Sequence, residues 1–301
     1  MKIKKEIIIG GVAVSLAATL WGLDGIVLTP RLRNLDIGFV VFMVHCIPFL
    51  VMNVFLFREY KHLKSFTTSD FITTSLVALF GGALGTLAIV KALFLMNFQS
   101  LTIVVLLQKM QPVFAIILAV VLLREKLQKN YLLWATIAIL AGYFLTFGFA
   151  LPNLSTGSNT VYAALYALLA AFSFGSSTVL SKKLLNRLSF TTATFYRYGF
   201  TVVFMGIFVA FTGKFSQIAI VTPANWLIFF IIGITTGSGA IFLFYFGLRK
   251  IKAMLATICE LFFPMSAIVF DYIFNQSRLS WEQWIGAVAM IFAIVRLNMS
   301  E

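Results

Sequence analysis

Charge is scarce in this sequence. Asp, Glu, Lys and Arg together make up 11% of the 301 residues, whereas about 25% of residues are charged in soluble globular domains. Hydrophobic residues make up 61%, and the mean hydropathy is +1.00. A soluble globule is therefore excluded, and the composition predicts an integral membrane protein whose main partner is the lipid bilayer.

Cysteine and the short motifs of catalysis are also rare or missing. The two cysteines, Cys46 and Cys259, lie inside apolar runs without metal-ligand spacing, so each is expected to pack as a buried free thiol. The sequence has no H-E-x-x-H, G-x-S-x-G, P-loop or potassium-filter motif. We therefore predict that the protein is not an enzyme and uses no cofactor, metal or ATP.

Ten segments are long and apolar enough to cross a bilayer as helices, which takes about 20 residues each. The third and fourth are separated only by residues 97–99, and this predicts an antiparallel helical hairpin. The ten segments lie approximately at 7–29, 37–57, 70–96, 100–123, 131–150, 161–181, 191–212, 226–248, 253–274 and 284–298.

Lysine and arginine are distributed unevenly among the predicted loops. If the N-terminus is cytoplasmic, sixteen of them fall in inner regions and four in outer regions, and positive residues accumulate on the cytoplasmic side of membrane proteins. Both termini are therefore predicted to be cytoplasmic, in the plasma membrane of a bacterium. The net charge of +13 follows from these loops, so nucleic acid is not an expected partner.

The sequence contains an internal duplication. A shift of 152 positions places glycines, prolines and apolar residues of one copy on identical residues of the other. The same shift places Gln108 on Glu260, each four residues before a proline, so a carboxylate has replaced an amide inside an apolar run. The identical pairs are Gly81/Gly233, Gly85/Gly237, Phe94/Phe246, Pro112/Pro264, Ala115/Ala267, Ile116/Ile268 and Leu127/Leu279.

An odd number of spans in each copy inverts the second copy in the membrane. The charges agree, because the basic Arg124-Glu-Lys126 loop matches the outer loop at 276–278, which holds one arginine. We predict an all-α polytopic fold of ten transmembrane helices, arranged as two inverted five-helix repeats at 4–150 and 160–298. Residues 151–160 form the linker. Inverted repeats are typical of secondary transporters.

Once the charges of the loops and of the span ends are set aside, six charged residues remain within the predicted spans. Because an unpaired charge at the bilayer centre costs at least about 2.5 to 3.5 kcal/mol on insertion scales, three negative and three positive groups suggest mutual pairing across a polar cavity. Asp24, Lys91 and Asp271 lie nearer the outer helix ends, where side chains can reach the interface. The six residues are Asp24, Glu260 and Asp271, and Lys91, Lys109 and Arg197.

Glu260 and Lys109 occupy nearly equivalent positions in the two copies. One hypothesis is that Glu260 binds substrate or titrates protons with Lys109 as its partner, since an ionisable residue inside a membrane is by default a functional candidate. The alternative is a permanent salt bridge that holds the two halves together.

Two prolines mark possible hinges. Pro112 and Pro264 each disturb the carbonyl four residues earlier, which belongs to Gln108 and Glu260. With Gln111 beside the first proline, each copy places polar groups and a weakened helix at one depth, where carriers bind ligands and bend. A kink that serves only packing is the other interpretation.

Three further candidates are less specific. His45 lies in the second span and could relay protons or bond inside the core. Trp21, followed by Gly22, could line a cavity or allow close helix packing, and packing is the favoured interpretation. Tyr196, beside Arg197, is a weaker cavity candidate.

The residues together resemble a known family. The inverted ten-span pattern, the Trp-Gly pair of the first span, and QPVFAIILAVVLLREKL mirrored by FPMSAIVFDYIFNQSRLSWEQWIGA are similar to the drug/metabolite transporter superfamily, specifically its EamA-like branch. The resemblance implies a carrier with cytoplasmic termini and a central cavity that works by alternating access, commonly as an exporter of amino acids and other small metabolites. The family often has a glutamate directly before the fourth-helix proline, and this chain has Gln111 there.

We therefore predict a secondary active transporter of a small metabolite. An interior with both charge signs favours an amino-acid-like zwitterion, export is favoured over import through the resemblance, and proton exchange is a hypothesis for the driving force. A passive channel or facilitator is the main alternative.

Overall fold

The computed structural model of the protein describes residues 2–96, 104, 107–127, 129–149, 158–276 and 280–300. All regular secondary structure in these ranges is helical. Seven of the described helices are long and apolar enough to cross a membrane, and the shorter apolar helices Gln111–Leu123 and Tyr131–Leu145 accompany them. The protein is thus an all-helical, multi-pass membrane protein. The predicted turn at 97–99 lies outside the described residues.

The first half of the chain carries six described α-helices, three of which continue directly into a π-helical or a 3₁₀ segment. A π-helical segment, Asp24–Leu28, follows the first helix, and a second, Ala78–Leu84, joins the third helix to the fourth. A 3₁₀ segment, Phe57–Ser65, follows the second helix. The helices are α1 (Lys2–Leu23), α2 (Ile37–Leu56), α3 (Thr68–Val77), α4 (Gly85–Leu95), α5 (Gln111–Leu123) and α6 (Tyr131–Phe147).

The second half repeats this order. Its first helix begins at Ser158, so residues 158–160 of the predicted linker are helical, and residues 151–157 lie outside the described ranges. A π-helical segment, Gly233–Gly237, again interrupts the third span. The helices are α7 (Ser158–Leu185), α8 (Phe190–Phe211), α9 (Pro223–Ile232), α10 (Ser238–Lys250), α11 (Ala253–Cys259), α12 (Phe262–Asn275) and α13 (Trp281–Ser300).

The helix starts have local causes in the sequence. Thr67 and Asp70 form a reciprocal capping box at the start of α3, and Thr222 and Asn225 form another at the start of α9. Each box satisfies main-chain N–H groups that have no partner within the helix. The helices α3 and α9 therefore begin with the same capping motif.

The irregularities of the two halves coincide after the 152-residue shift. The π-helical segments overlap, and helical structure is interrupted at Lys109 and at Glu260, just before the two prolines. Beyond those prolines α5 and α12 end on residues in the left-handed conformation, Arg124 at φ 54° and Gln276 at φ 58°. The duplication seen in the sequence thus extends to backbone geometry.

The two halves pack crosswise. The first helix of each half contacts the third and fourth spans of the other half, so α1 packs on α10 and α12 while α7 packs on α4 and α5. The helices α2 and α8 pack on each other, and the last helix of the first half, α6, packs on the last helix of the second half, α13. This exchange places α5 beside α11. These helices belong to the two predicted fourth spans, each of which is interrupted just before its proline.

Glycines allow these crosswise contacts. A Cβ at Gly22 would lie 2.1 Å from Ser266 Oγ and 2.8 Å from the main-chain nitrogen of Ala267. In the first helix of the second half, Gly175 lies one residue off the 152-residue shift, and a Cβ there would lie 2.9 Å from the carbonyl oxygen of Gln111. Both glycines therefore permit close helix packing.

Candidate functional site

A small cavity lined by polar and apolar side chains lies between α5 and α11–α12, the interrupted fourth spans of the predicted repeats. Its volume is about 50 Å³, and it lies where α5 and α12 begin. Four of the predicted polar residues and both predicted hinges line it. The lining residues are Gln108, Lys109, Gln111, Pro112, Thr257, Glu260, Leu261, Phe263 and Pro264.

Glu260 contributes the carboxyl group of the cavity. Gln111 Nε2 donates to Glu260 Oε2 at 2.7 Å, and Thr178 Oγ1 donates to Glu260 Oε1 at 3.0 Å. These contacts join α5, α7 and the break between α11 and α12. Neutral donors therefore orient both carboxyl oxygens.

Lys109 lines the same cavity as this carboxylate. Its ammonium group donates to the carbonyl oxygen of Gly142 on α6. A functional partnership between Lys109 and Glu260 and a permanent salt bridge between them both stay predictions.

Arg197 forms a second polar cluster deeper among the helices. Its side chain is only 8% exposed, its Nη1 donates to the Tyr245 hydroxyl at 3.1 Å, and its guanidinium carbon lies 5.6 Å from the centre of the Tyr245 ring. The Tyr245 hydroxyl also bonds Ser181 Oγ at 2.7 Å.

A hydroxyl-bearing face of α7 connects the two clusters. Thr178 contacts Glu260 and Ser181 contacts Tyr245, and residues three apart lie on the same side of a helix. Ser177 faces the neighbouring span and donates to the Val77 carbonyl oxygen at 3.4 Å. We did not identify this face from the sequence. The signal was available as the run SFGSSTVLS at residues 173–181 within an apolar span.

Two of the outlying candidates remain near the interior. His45 bonds the Val41 carbonyl oxygen through Nδ1 at 2.8 Å and packs its ring on Tyr198. Asp24 accepts a hydrogen bond from Thr29 at 3.1 Å within its π-helical segment. Neither lines the cavity between the fourth spans.

Three other candidates lie away from the cavity. Lys91 is exposed on α4. Trp21 packs its ring on Phe244 at a centroid distance of 5.4 Å. Tyr196 is 4% exposed and donates to the carbonyl oxygen of Glu59 at 2.9 Å, so it fastens α8 to the 3₁₀ segment Phe57–Ser65.

Glu125 is a functional candidate that the sequence did not reveal. Its carboxylate accepts from the main-chain N–H groups of Ala253 at 2.8 Å and Met254 at 3.1 Å. The buried Tyr131 hydroxyl donates to the carbonyl oxygen of Met254 at 2.7 Å. Glu125 and Tyr131 both follow α5 in the first half of the chain. Their hydrogen bonds to Ala253 and Met254 therefore fix the start of α11 in the second half.

A larger depression lies elsewhere and lacks the features of the central site. It measures about 490 Å³, is open to the surface, and touches neither interrupted span. Its charged groups are exposed arginines. The lining residues are Pro30, Arg31, Arg33, Asn34, Ala224, Leu227 and Ile228.

Comparison with known proteins agrees with the predicted transporter class. A protein of Fusobacterium nucleatum subsp. nucleatum named riboflavin transporter ImpX is 52% identical over 290 residues, covering 96% of this chain and 97% of its own length. An uncharacterized transporter of Bacillus subtilis, YxxF, is 28% identical over 66% of this chain and 62% of its own length.

A solved crystal structure is similar in fold. It superposes with a TM-score of 0.69 over 95% of both chains at 14% sequence identity. The EamA-like transporter family matches the chain twice, at residues 8–148 and 161–299. These similarities confirm the predicted family and the prediction of a transporter rather than an enzyme: the chain belongs to the EamA-like transporter family.

Proposed function

We propose that this protein carries riboflavin across the bacterial cytoplasmic membrane by alternating access. The observation that carries the proposal is the 52% identity, over nearly the full length of both chains, to a protein named riboflavin transporter. The cavity chemistry is compatible, because amide and hydroxyl groups surround the one carboxylate, and riboflavin is a neutral solute rich in hydrogen-bonding groups.

The membrane architecture that we propose has ten spans in two inverted five-helix repeats with both termini cytoplasmic. Crosswise packing and the coincidence of π-helical segments and helix breaks after the 152-residue shift support it. The family matches at 8–148 and 161–299 lie close to the repeats proposed at 4–150 and 160–298. The distribution of Lys and Arg supports the orientation.

In the described conformation the cavity at the candidate site is too small to hold a flavin. Pockets that hold small ligands usually measure about 300–1,000 Å³, and the cavity at Glu260 measures about 50 Å³. A flavin therefore enters only when the fourth spans move apart. We propose that the interrupted helices at Pro112 and Pro264 bend during this movement, and that each half opens the site to one side of the membrane.

Coupling is proposed at Glu260. It is the carboxylate of the central cavity, it belongs to an interrupted helix, and neutral donors hold it. Protonation would remove the charge of Glu260 and weaken the hydrogen bonds that it accepts from Gln111 on α5 and Thr178 on α7. The two helices would then be released from Glu260, and proton binding would in this way be coupled to their movement. Passive facilitation of the same solute is the alternative, and flux against a gradient distinguishes the two.

Equilibrium binding tests the substrate. Riboflavin is fluorescent, so titrating it with purified protein in detergent measures affinity directly, and competition extends the test to amino acids, polyamines, nucleosides and sugars. Saturable riboflavin binding that the other solutes do not displace is the expected result. Binding of an amino acid with no binding of riboflavin would refute the flavin proposal and favour the zwitterion predicted from the in-span charges.

A further inference from the structure

We propose that Glu260, Thr178 and Gln111 bind the ribityl chain of the flavin and that they, rather than contacts to the ring, select the substrate. This inference rests on the proposed function and names the part of riboflavin that the residues of the central cavity recognise. It assigns a substrate-binding role to Thr178 on α7, a span whose hydroxyl face touches the cavity carboxylate.

The chemistry of the cluster favours a polyol over an aromatic ring. An ionised carboxylate only accepts hydrogen bonds, through about four lone-pair sites on its two oxygens. The ribityl chain offers four O–H donors on adjacent carbons. The isoalloxazine ring offers mainly carbonyl oxygens and ring nitrogens that accept, and a carboxylate repels those. Glu260 therefore matches the polyol end of riboflavin.

The geometry leaves capacity for two such donors. Gln111 occupies one lone-pair site on Oε2 and Thr178 one on Oε1, so each oxygen can accept one more hydrogen bond. The Thr178 hydroxyl itself can accept from the ligand while it donates to Glu260. Two neighbouring ribityl hydroxyls can thus bond a carboxylate that two helices hold in a fixed orientation.

The remaining groups of the cavity fit the same ligand. Gln108 and Lys109 add amide and ammonium donors for the lone pairs of ribityl oxygens. Among the described residues that line the cavity, Phe263 is the aromatic one, so these residues do not form the pair of aromatic walls that would sandwich a tricyclic ring. The ring is therefore expected to lie outside this polar cluster, with the ribityl chain directed into it.

Lumiflavin, which carries the same ring with a methyl group in place of the ribityl chain, separates the two modes of recognition. The experiment measures the affinities of riboflavin and lumiflavin by fluorescence titration for the wild type, Thr178→Val and Gln111→Leu. Thr212→Val is the matched control, because the exposed Thr212 hydroxyl bonds only carbonyl oxygens of its own helix, α8. Thr178→Ser tests rescue, because it restores the hydroxyl.

The expected result is that the wild type binds riboflavin at least tenfold more tightly than lumiflavin. Thr178→Val and Gln111→Leu should each weaken riboflavin binding about fivefold to twentyfold and leave lumiflavin binding within twofold, while Thr178→Ser and Thr212→Val resemble the wild type. Equal loss for both ligands, or no loss for riboflavin, would overturn the ribityl assignment. If the wild type binds neither flavin, the proposed function itself is wrong.

Discussion

The Glu125 carboxylate lies 2.8 Å from the main-chain nitrogen of Ala253, across the boundary between the two halves of the chain. Glu125 follows α5, and Ala253 begins α11. The carboxylate therefore caps a helix of the other half, where the helix dipole favours negative charge. This contact holds the ends of the two interrupted spans together on one side of the closed cavity.

Glu125→Ala should destabilise the closed conformation. It removes two hydrogen bonds from a helix N-terminus, and loss of a capping side chain costs about 0.5–2 kcal/mol. Thermal unfolding in detergent should show a lower midpoint. The control is Glu6→Ala, which removes a partly exposed ion pair with Lys250, and exposed pairs contribute only about 0–1 kcal/mol. Equal effects of the two variants would argue against a special role for Glu125.

The same variant should also change access to the site. With the cap removed, the ends of α5 and α11 separate more often, so a cysteine placed at Thr257 should react faster with a membrane-impermeant thiol reagent in the Glu125→Ala background. The comparison uses a protein with Cys46 and Cys259 replaced by serine. Unchanged reactivity on both faces of sealed vesicles would show that Glu125 is not part of a gate.

Glu260→Gln tests the coupling role. The substitution keeps the shape and the ability to accept hydrogen bonds but removes the titrating group. Flux should lose its dependence on pH, while the protein keeps its thermal midpoint within a few degrees. A variant that fails to fold would instead favour the structural role for Glu260, because removing one partner of a buried charged network is strongly destabilising.

Gly22→Ala should be poorly tolerated. The added Cβ would approach Ser266 Oγ and the main chain of α12 within 3 Å, and overpacking of this kind costs about 1–3 kcal/mol. Gly25→Ala is the matched control, because its Cβ would meet only Phe263 Cε2 at 3.9 Å. A reduced unfolding midpoint for Gly22→Ala alone is the expected result, and equal stability of the two variants would contradict the crosswise packing of α1 on α12.

Pro264→Ala tests the hinge. Alanine restores the main-chain donor and removes the steric disturbance at the carbonyl of Glu260, so the break between α11 and α12 should become stiffer. Riboflavin affinity should change little, while the transport rate falls several-fold. A variant with normal transport would assign the proline to packing alone.

The arrangement around the cavity could be predicted from the sequence because its signals are local. The two prolines, the amide and carboxylate four residues before them, and the duplication identified both interruptions and placed Glu260 and Gln111 at one site. The prolines and the polar residues before them are visible within single spans, and the duplication is visible as a fixed shift of 152 positions between the two halves.

The partners of several side chains could not be predicted, because they depend on contacts between distant segments. Glu125 bonds main-chain groups 128 residues away, and main-chain groups are not distinguishable in a sequence. The contact of Lys109 with a carbonyl of α6 could not be predicted for the same reason. Tyr196 lies beside Arg197 in sequence, yet a helix directs neighbouring side chains apart, and its hydroxyl reaches Glu59.

Riboflavin counterflow in proteoliposomes tests the central claim most directly. Vesicles loaded with unlabelled riboflavin and diluted into a trace of labelled riboflavin should accumulate label transiently above the outer concentration, because a carrier exchanges solute through one alternating site. Empty vesicles and vesicles loaded with an amino acid serve as controls. Label that only equilibrates would indicate a channel, and the absence of any protein-dependent riboflavin flux would contradict the account.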